Sequence, residues 1–276
     1  MPTINTNVAA IKARSNLDKV QRELDTSIAR LSSGKRITRA HDDAAGSAIS
    51  GRMESQIRGL NMQIRSVKDG QSLVDTQEGA LQQISSMLQR MRELAVQASS
   101  GTMATADKDY LQLENIALVH EIKAIAANTK FNDKNVLTGA AFEFYTDIDS
   151  AGTAITTVTA MMSVTSLNIA TAVISIGGGE AIAGIEDVIS VIDAAIDKVN
   201  SKRANLGAIS NRFDHAIDNL TNVVANTMSS QSRVQDADFA VETTQLTRNT
   251  ILQQAATSMV AQANAGKSVL LALIQG

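Results

Sequence analysis

The sequence predicts a mainly α protein: long antiparallel heptad helices forming a rod-like bundle or coiled coil, with a small β-hairpin region in the middle of the chain. Three observations predict it. Two segments repeat apolar residues every seven positions, Leu60, Val67, Val74, Leu81, Leu88 and Ala95 in the first and Ile185, Ile192, Val199, Leu206, Phe213 and Leu220 in the second. Heptads sustained over that length pack as coiled coils. The composition has 3% aromatic residues, one proline and no tryptophan, which suits slender helices better than a wide core built on aromatic area. Residues 131–180 abandon the helical period for β-branched and alternating stretches separated by Gly, Asp and Ser, the signature of short strands and hairpins.

Taken in order, residues 4–31 carry a helical stripe with Leu17, Leu24 and Leu31 seven apart and Val20 and Ile28 between them. The stretch "SSGKRITRAHDDAAG" interrupts it. Ser32, Ser33 and Gly34 can close one helix, and Asp42 and Asp43 suit the positive start of the next. The first heptad run, with Ile64, Ile84 and Met91 flanking it, predicts a helix over 60–98, roughly 58 Å long. "SSGTMAT" ends it. A third helix is expected over about 107–128, with Leu111, Leu118, Ile122 and Ile125 on one face. "FNDKNVLTG" reads as turns, and "AFEFYTDI", "TAITTVTAMM" and "AVISIGGG" as strands. After the second heptad run the stripe lapses over 229–242. A last helix then carries Leu252, Ala256, Met259, Ala263, Gly266, Leu270 and Leu273.

This layout is symmetric about the middle and divides the chain into three parts. Residues 1–43 plus 235–276 form a terminal coiled-coil layer, with Leu17, Leu24, Leu31, Leu252, Met259, Leu270 and Leu273 as its packing positions. Residues 44–140 plus 181–234 form the main helical rod. Residues 141–180 are a short β-rich insert belonging to the rod. The end helices are short, set off by polar breaks and poor in large apolar residues. Isolated helices of that kind are unstable in water, so the terminal layer is expected to be disordered in the monomer and to fold when neighbours bury it.

Chemistry finds little support. The net charge of −3 does not advertise a nucleic-acid partner, although residues 1–39 carry a net +5. With no cysteine there is no disulfide framework or thiolate. The longest strongly apolar run, "VLLALI" at 269–274, is too short to span a bilayer. The polar start lacks a leader's apolar run, so an exported chain would leave without a cleaved one. Two Gly-Lys pairs sit in near phosphate-loop settings, "ARLSSGKR" at 29–36 and "AQANAGKS" at 261–268. The first places Ala29 and Arg36 where a P-loop needs Gly and Ser/Thr, and the second places Ala261 at its first Gly and lies inside a helical heptad with no strand before it. His41, His120 and His215 are far apart in sequence, and "HEIKA" lacks the second histidine of a zinc helix. No G-x-S-x-G elbow is present. No catalytic, cofactor-binding or metal-binding residues are expected, and the chain is expected not to be an enzyme.

The segments "RLSSGKRITRAHDDAAGSAIS" (30–50), "EGALQQISSMLQRMRELAVQASSGT" (78–102), "FNDKNVL" (131–137), "LGAISNRFDHAIDNL" (206–220), "SRVQDADFAVET" (232–243) and "ILQQAATSMVAQAN" (251–264) together resemble bacterial flagellin, over roughly 1–140 and 185–276. The resemblance implies a structural subunit that polymerises into the helical flagellar filament, the passive propeller for swimming. Its end helices would line a central channel, and the outer variable domains of larger relatives would be absent. It implies type III export to the extracellular filament. The implied partners are further copies of the chain, flagellar cap and hook-associated proteins, and an export chaperone at the C-terminal segment. No nucleic acid and no membrane are implied. "QRMRELAVQ" (89–97) resembles the segment read by the vertebrate Toll-like receptor for flagellin. Gln89, Arg90, Leu94 and Glu114 are carried over as subunit-interface and receptor-contact positions, with Met91 where the family has Val or Ile. The ending "AGKSVLLALIQG" departs from the family pattern. A hook–filament junction protein of the same family and a soluble coiled-coil scaffold are the alternatives.

Overall fold

The computed structural model describes residues 6–139, 141–145, 154–158, 163–169, 176 and 185–275. The chain is mainly α, as expected. Its elements are α1 (Val8–Ser33), α2 (Ala44–Ala98), α3 (Thr105–Asn128), β1 (Lys130–Phe131), β2 (Lys134–Asn135), β3 (Ala141–Tyr145), β4 (Ala154–Val158), α4 (Val164–Leu167), α5 (Ile185–Gln235) and α6 (Phe239–Gln275). They divide into two compact units: Met1–Ile57 with Ala225–Gly276, and Arg58–Val224.

In the unit 58–224 the heptads form the core. Leu60, Val67, Val74, Leu81, Leu88 and Ala95 on α2 are all buried, as are Ile192, Val199, Leu206, Phe213 and Leu220 on α5. Polar pairs fix the register beside these seams: Gln71 donates to Asp214 at 2.9 Å, Arg203 to Glu78 at 2.8 Å and Arg92 to Asp193 at 2.6 Å. Partner numbers fall along α5 as they rise along α2, so the two helices run antiparallel. Helix α3 buries Asn115, Val119, Ile122 and Ala126. The expected Leu111, Leu118 and Ile125 are only half-buried, because the buried line follows a 4-3-4 spacing that the strict sevens flank.

The middle of the chain is anchored to this core. Asn132 and Asp133 both have positive φ, 49° and 62°, and form the two-residue turn of the β1–β2 hairpin, as such turns require. Asn135 then donates to the carbonyl of Ala127 at 2.5 Å and so closes the end of α3. Gln77 reaches from α2 to the carbonyl of Val136 at 3.0 Å. Strands β3 and β4 pair antiparallel from Ala141–Val158 to Tyr145–Ala154. Phe144 of β3 meets Phe213 of α5 edge to face, with centroids 5.7 Å apart. Gly70 of α2 leaves room for both rings: a Cβ there would lie 3.0 Å from Phe213 and 3.1 Å from Phe144. The β-rich insert also holds a helical turn, α4, outside the stretches read as strands. Ser163 caps α4 by accepting from the Ser166 amide, and Asn168 closes it in the left-handed conformation. The expected strand "AVISIGGG" lies outside the described residues, Ile176 excepted.

In the terminal unit, α1 and α6 run antiparallel. Asn7 donates to the Ala263 carbonyl at 2.9 Å, Gln253 to Gln21 at 2.5 Å and Arg30 to Glu242 at 3.0 Å. Gly34, at φ 70°, caps α1 as expected. The linkers on either side then pair: Lys35 bridges Asp236, the Arg36 amide donates to Gln235 at 2.7 Å and the Ala237 amide to Gly34 at 3.0 Å. The Lys35 of the near-phosphate loop therefore sits in a backbone bridge. Asp42 accepts from the Thr38 amide, the Thr38 hydroxyl and the Arg39 amide. The Arg39 amide and the Thr38 hydroxyl are the main causes that hold its carboxyl below the usual range. Asp43 caps α2 through the Gly46 amide at 2.8 Å. The expected break over 229–242 shrinks to 236–238, because the stripe lapses there without the helix ending. The facing groups are polar, with the Ser50 hydroxyl donating to Gln235 at 2.8 Å.

Gly46 has no space for a side chain: a Cβ would overlap the Asp43 carboxylate and lie 2.7 Å from Ile37 Cδ1. Gly46→Ala should destabilise the protein by about 1–3 kcal/mol. Gly79→Ala, on α2 with nothing within 4 Å, should stabilise it by about 0.5–1 kcal/mol. Thermal denaturation of the two variants checks the opposite signs.

Candidate assembly and recognition surfaces

The terminal unit has a sparse core. Among the described residues it buries three apolar side chains, Leu24, Ile37 and Ile57, and exposes ten large ones. The other unit buries twenty-nine. Buried polar groups fill much of the remainder: Ser27, Ser50, Glu242 and Asn249. Asn249 is fully buried, and neither its amide nitrogen nor its oxygen has a partner.

Helix α6 explains part of this. Its 37 residues include only one acidic and two basic ones, so it has no charged face to offer water. The hydroxyls of Thr243, Thr244, Thr247, Thr250, Thr257 and Ser258 donate to carbonyls four residues back. That bonding uses up hydroxyl donors which could otherwise bond outward. Val241, Leu252 and Met259, spaced eleven and seven apart, are 63%, 44% and 63% exposed and share one face by helical geometry. A helix that is apolar or neutral all round is normally covered on every side.

The expected packing positions split accordingly. Leu24 is buried against the pair, and Leu17 and Leu31 are half-buried. Leu252 and Met259 do not lie in the seam with α1. Glu242, Asn249 and Gln253 take the inward side, which turns the heptad leucine and methionine outward. Leu270 and Leu273 lie on the α6 backbone, with side chains outside the described residues.

A second surface joins α2 and α3. Arg90 donates to Glu114 at 2.8 Å and to Glu93 at 3.0 Å, and the Glu114 bond foremost raises the Arg90 pKa. Gln89 is exposed, and a shallow groove lined by Gln89, Arg92, Glu93, Val96 and Gln97 runs along this part of α2. Leu94 departs from the expected surface set. It is fully buried, because it lies one turn along from Met91 on the core side of α2. Sequence reasoning missed three exposed apolar neighbours, Val96, Tyr110 and Leu113. Tyr110 precedes Glu114 by one helical turn, so a periodicity test for apolar residues off the core face could have found it.

Among the described residues no group of three or more His, Cys, Asp or Glu could hold a metal ion, and no helix is long and apolar enough to cross a membrane.

Heptad-seamed helices and a paired set of chain ends with an uncovered apolar face define a helix-built protein whose ends have surface left to bury. The match to known sequences makes the class specific. Residues 4–141 match the bacterial flagellin N-terminal helical region and residues 189–274 the bacterial flagellin C-terminal helical region. The chain is 38% identical over 273 residues to a flagellin of Halalkalibacterium halodurans and 33% identical over 381 residues to polar flagellin C of Vibrio parahaemolyticus, covering 99% of each chain in both cases. The flagellar filament 33 kDa core protein of Treponema phagedenis is 35% identical, again with 99% of both chains covered. A crystal structure of Bacillus cereus flagellin aligns with 59% of this chain and 94% of its own, at 34% identity and a TM-score of 0.49. The chain belongs to the bacterial flagellin family.

The two kinds of residue on the second surface should respond differently to truncation. Leu94→Ala empties a fully buried site and should cost about 2–5 kcal/mol. Arg90→Ala removes exposed ion pairs, which contribute little in water, and should leave the midpoint of thermal unfolding unchanged. Paired melting curves followed by circular dichroism check this.

Proposed function

We propose that the chain is a structural subunit, not an enzyme, that polymerises into the extracellular helical filament of the bacterial flagellum. Family membership supports the filament, and one structural observation supports the route of assembly. The terminal pair leaves Val8, Ile11, Val241, Ile251, Leu252 and Met259 uncovered while burying almost no apolar core of its own. Further copies of the same chain would supply the missing cover. Contacts of that head-to-tail kind do not close into a ring and propagate as a helical polymer. The terminal layer is then held by its neighbours, and in the free subunit its helices are disordered or frayed. Cap and hook-associated proteins and an export chaperone at the C-terminal segment are the further partners this reading assigns.

Electron microscopy of purified protein with short filament seeds tests it. Leu252→Asp and Met259→Asp place a charge on the outward face of α6 in the terminal unit. The parent chain should elongate the seeds, and both variants should fail to do so while unfolding at the parent's temperature. Elongation at the parent's rate by both variants would reject this face as an assembly surface.

The α2–α3 surface is read as a subunit contact in the filament and, where a vertebrate host is met, as a contact for a Toll-like receptor. Gln89, Arg90 and Glu114 supply its accessible groups, with Tyr110 and Leu113 as apolar neighbours, and buried Leu94 supports α2 from beneath. In a receptor reporter assay, monomeric Arg90→Ala should signal at least about tenfold more weakly than the parent, as expected when a charged anchor at an interface is lost. Equal signals would remove the receptor from this reading.

A further inference from the structure

The α1–α6 pair is held by few apolar groups, and one of its inward positions works against it. Asn249 is 0% exposed, and its side-chain nitrogen and oxygen both lack partners. The hydrogen-bonded pairs on either side fix where it lies. Gln253 meets Gln21 and Glu242 meets Arg30, so Asn249 falls opposite the Leu24–Ser27 stretch of α1, where Leu24 is 8% and Ser27 3% exposed. A leucine at 249 would complete an apolar layer with Leu24. The Arg30 Nε atom, close by on α1, is also buried without a partner. Meanwhile the stripe that would reward pairing, Val241, Leu252 and Met259, faces away from α1.

We infer that Asn249 is a built-in brake on the terminal helix pair, keeping α1 and α6 apart in the free subunit so that the pair closes only when neighbouring copies cover its outer face. The inference rests on the reading of the terminal layer as folding among neighbours, and it names the residue that sets the balance. An amide buried without partners loses its bonds to water and gains none. In the free subunit little apolar burial offsets that loss. In the polymer, the outward stripe of α6 and the exposed residues of α1 are buried as well, and the same cost is outweighed. The free subunit therefore keeps its outward stripe from being presented on a preformed helix pair, and that restrains nucleation away from an existing filament end. Buried asparagines that trade stability for specificity are known in coiled coils. Here the trade is between two states of one pair.

Hydrogen exchange on the full-length monomer, at a concentration where it stays monomeric, tests the inference with two variants. Asn249→Leu fills the seam, and Gln254→Leu makes a similar apolar change at an exposed position of α6. The parent's amides in 15–31 and 242–260 should exchange rapidly. Asn249→Leu should slow both segments by about tenfold or more, the factor that relief of an unpaired buried amide implies, while Gln254→Leu leaves α1 unchanged. Fast exchange in the parent that stays equally fast in Asn249→Leu would overturn the inference and leave the proposed assembly intact. Equal slowing of both segments by both variants would also overturn it, since general helix propensity would then be the cause. Parent amides already as protected as those of α2 near Leu81 would instead overturn the reading of a separated terminal layer, and the brake with it.

Discussion

The antiparallel packing of heptad seams on α2 and α5 is the constraint on which the rest of the larger unit depends. Leu60 to Ala95 and Ile192 to Leu220 of the seven-spaced runs are all buried, and the polar pairs beside them fix one register. The remaining elements attach to that frame. Helix α3 lays Val119 and Ile122 on it, Gln77 ties down the segment after the first hairpin, and Phe144 brings β3 against Phe213 through the gap left by Gly70. Two long helices with a continuous apolar seam can support such additions, because dispersion and burial accumulate along the whole interface.

The terminal unit follows a different logic. Its order comes from backbone and polar bonds: the bridge between Lys35 and Asp236, the Asp42 carboxylate gathering three donors, Asp43 capping α2, and Gln253 meeting Gln21. Its apolar groups mostly face outward. Bonds of the first kind specify geometry with little net stability, and apolar groups of the second kind become stabilising only on contact with something else. The same helices therefore combine a specified geometry with apolar surface left to bury.

The acidic pair "DD" in the linker illustrates how adjacent residues divide a task. Asp42 folds the linker back on Thr38 and Arg39, while the Asp43 side chain accepts from the Gly46 amide of α2. Gly46 is part of the same arrangement, since the Asp43 carboxylate and Ile37 occupy the space its side chain would need. The near-phosphate loop beside it is accounted for in the same way. Gly34 closes α1, and the Lys35 backbone pairs with the opposite linker.

The sequence by itself determined the long helices, their heptad seams, the capping linker, the first hairpin's turn and the family. Each is written in local spacing or in a short motif, and helical geometry alone puts a seven-residue repeat on one face. Only the tertiary structure decided which face of each helix meets which partner. Leu94 and Leu252 look alike in the sequence, yet one is sealed in the core and the other stands outward. Asn249 reads as an ordinary polar helix residue, yet it occupies the inside of the terminal pair. Short "SVTSLN" carries no helical period of its own, and a serine cap and a left-handed asparagine make it a helical turn. The physical reason is common to all of these. Periodicity gives a helix its faces, but burial depends on the other chain segments that come to lie against each face, and those are set by contacts distant in sequence.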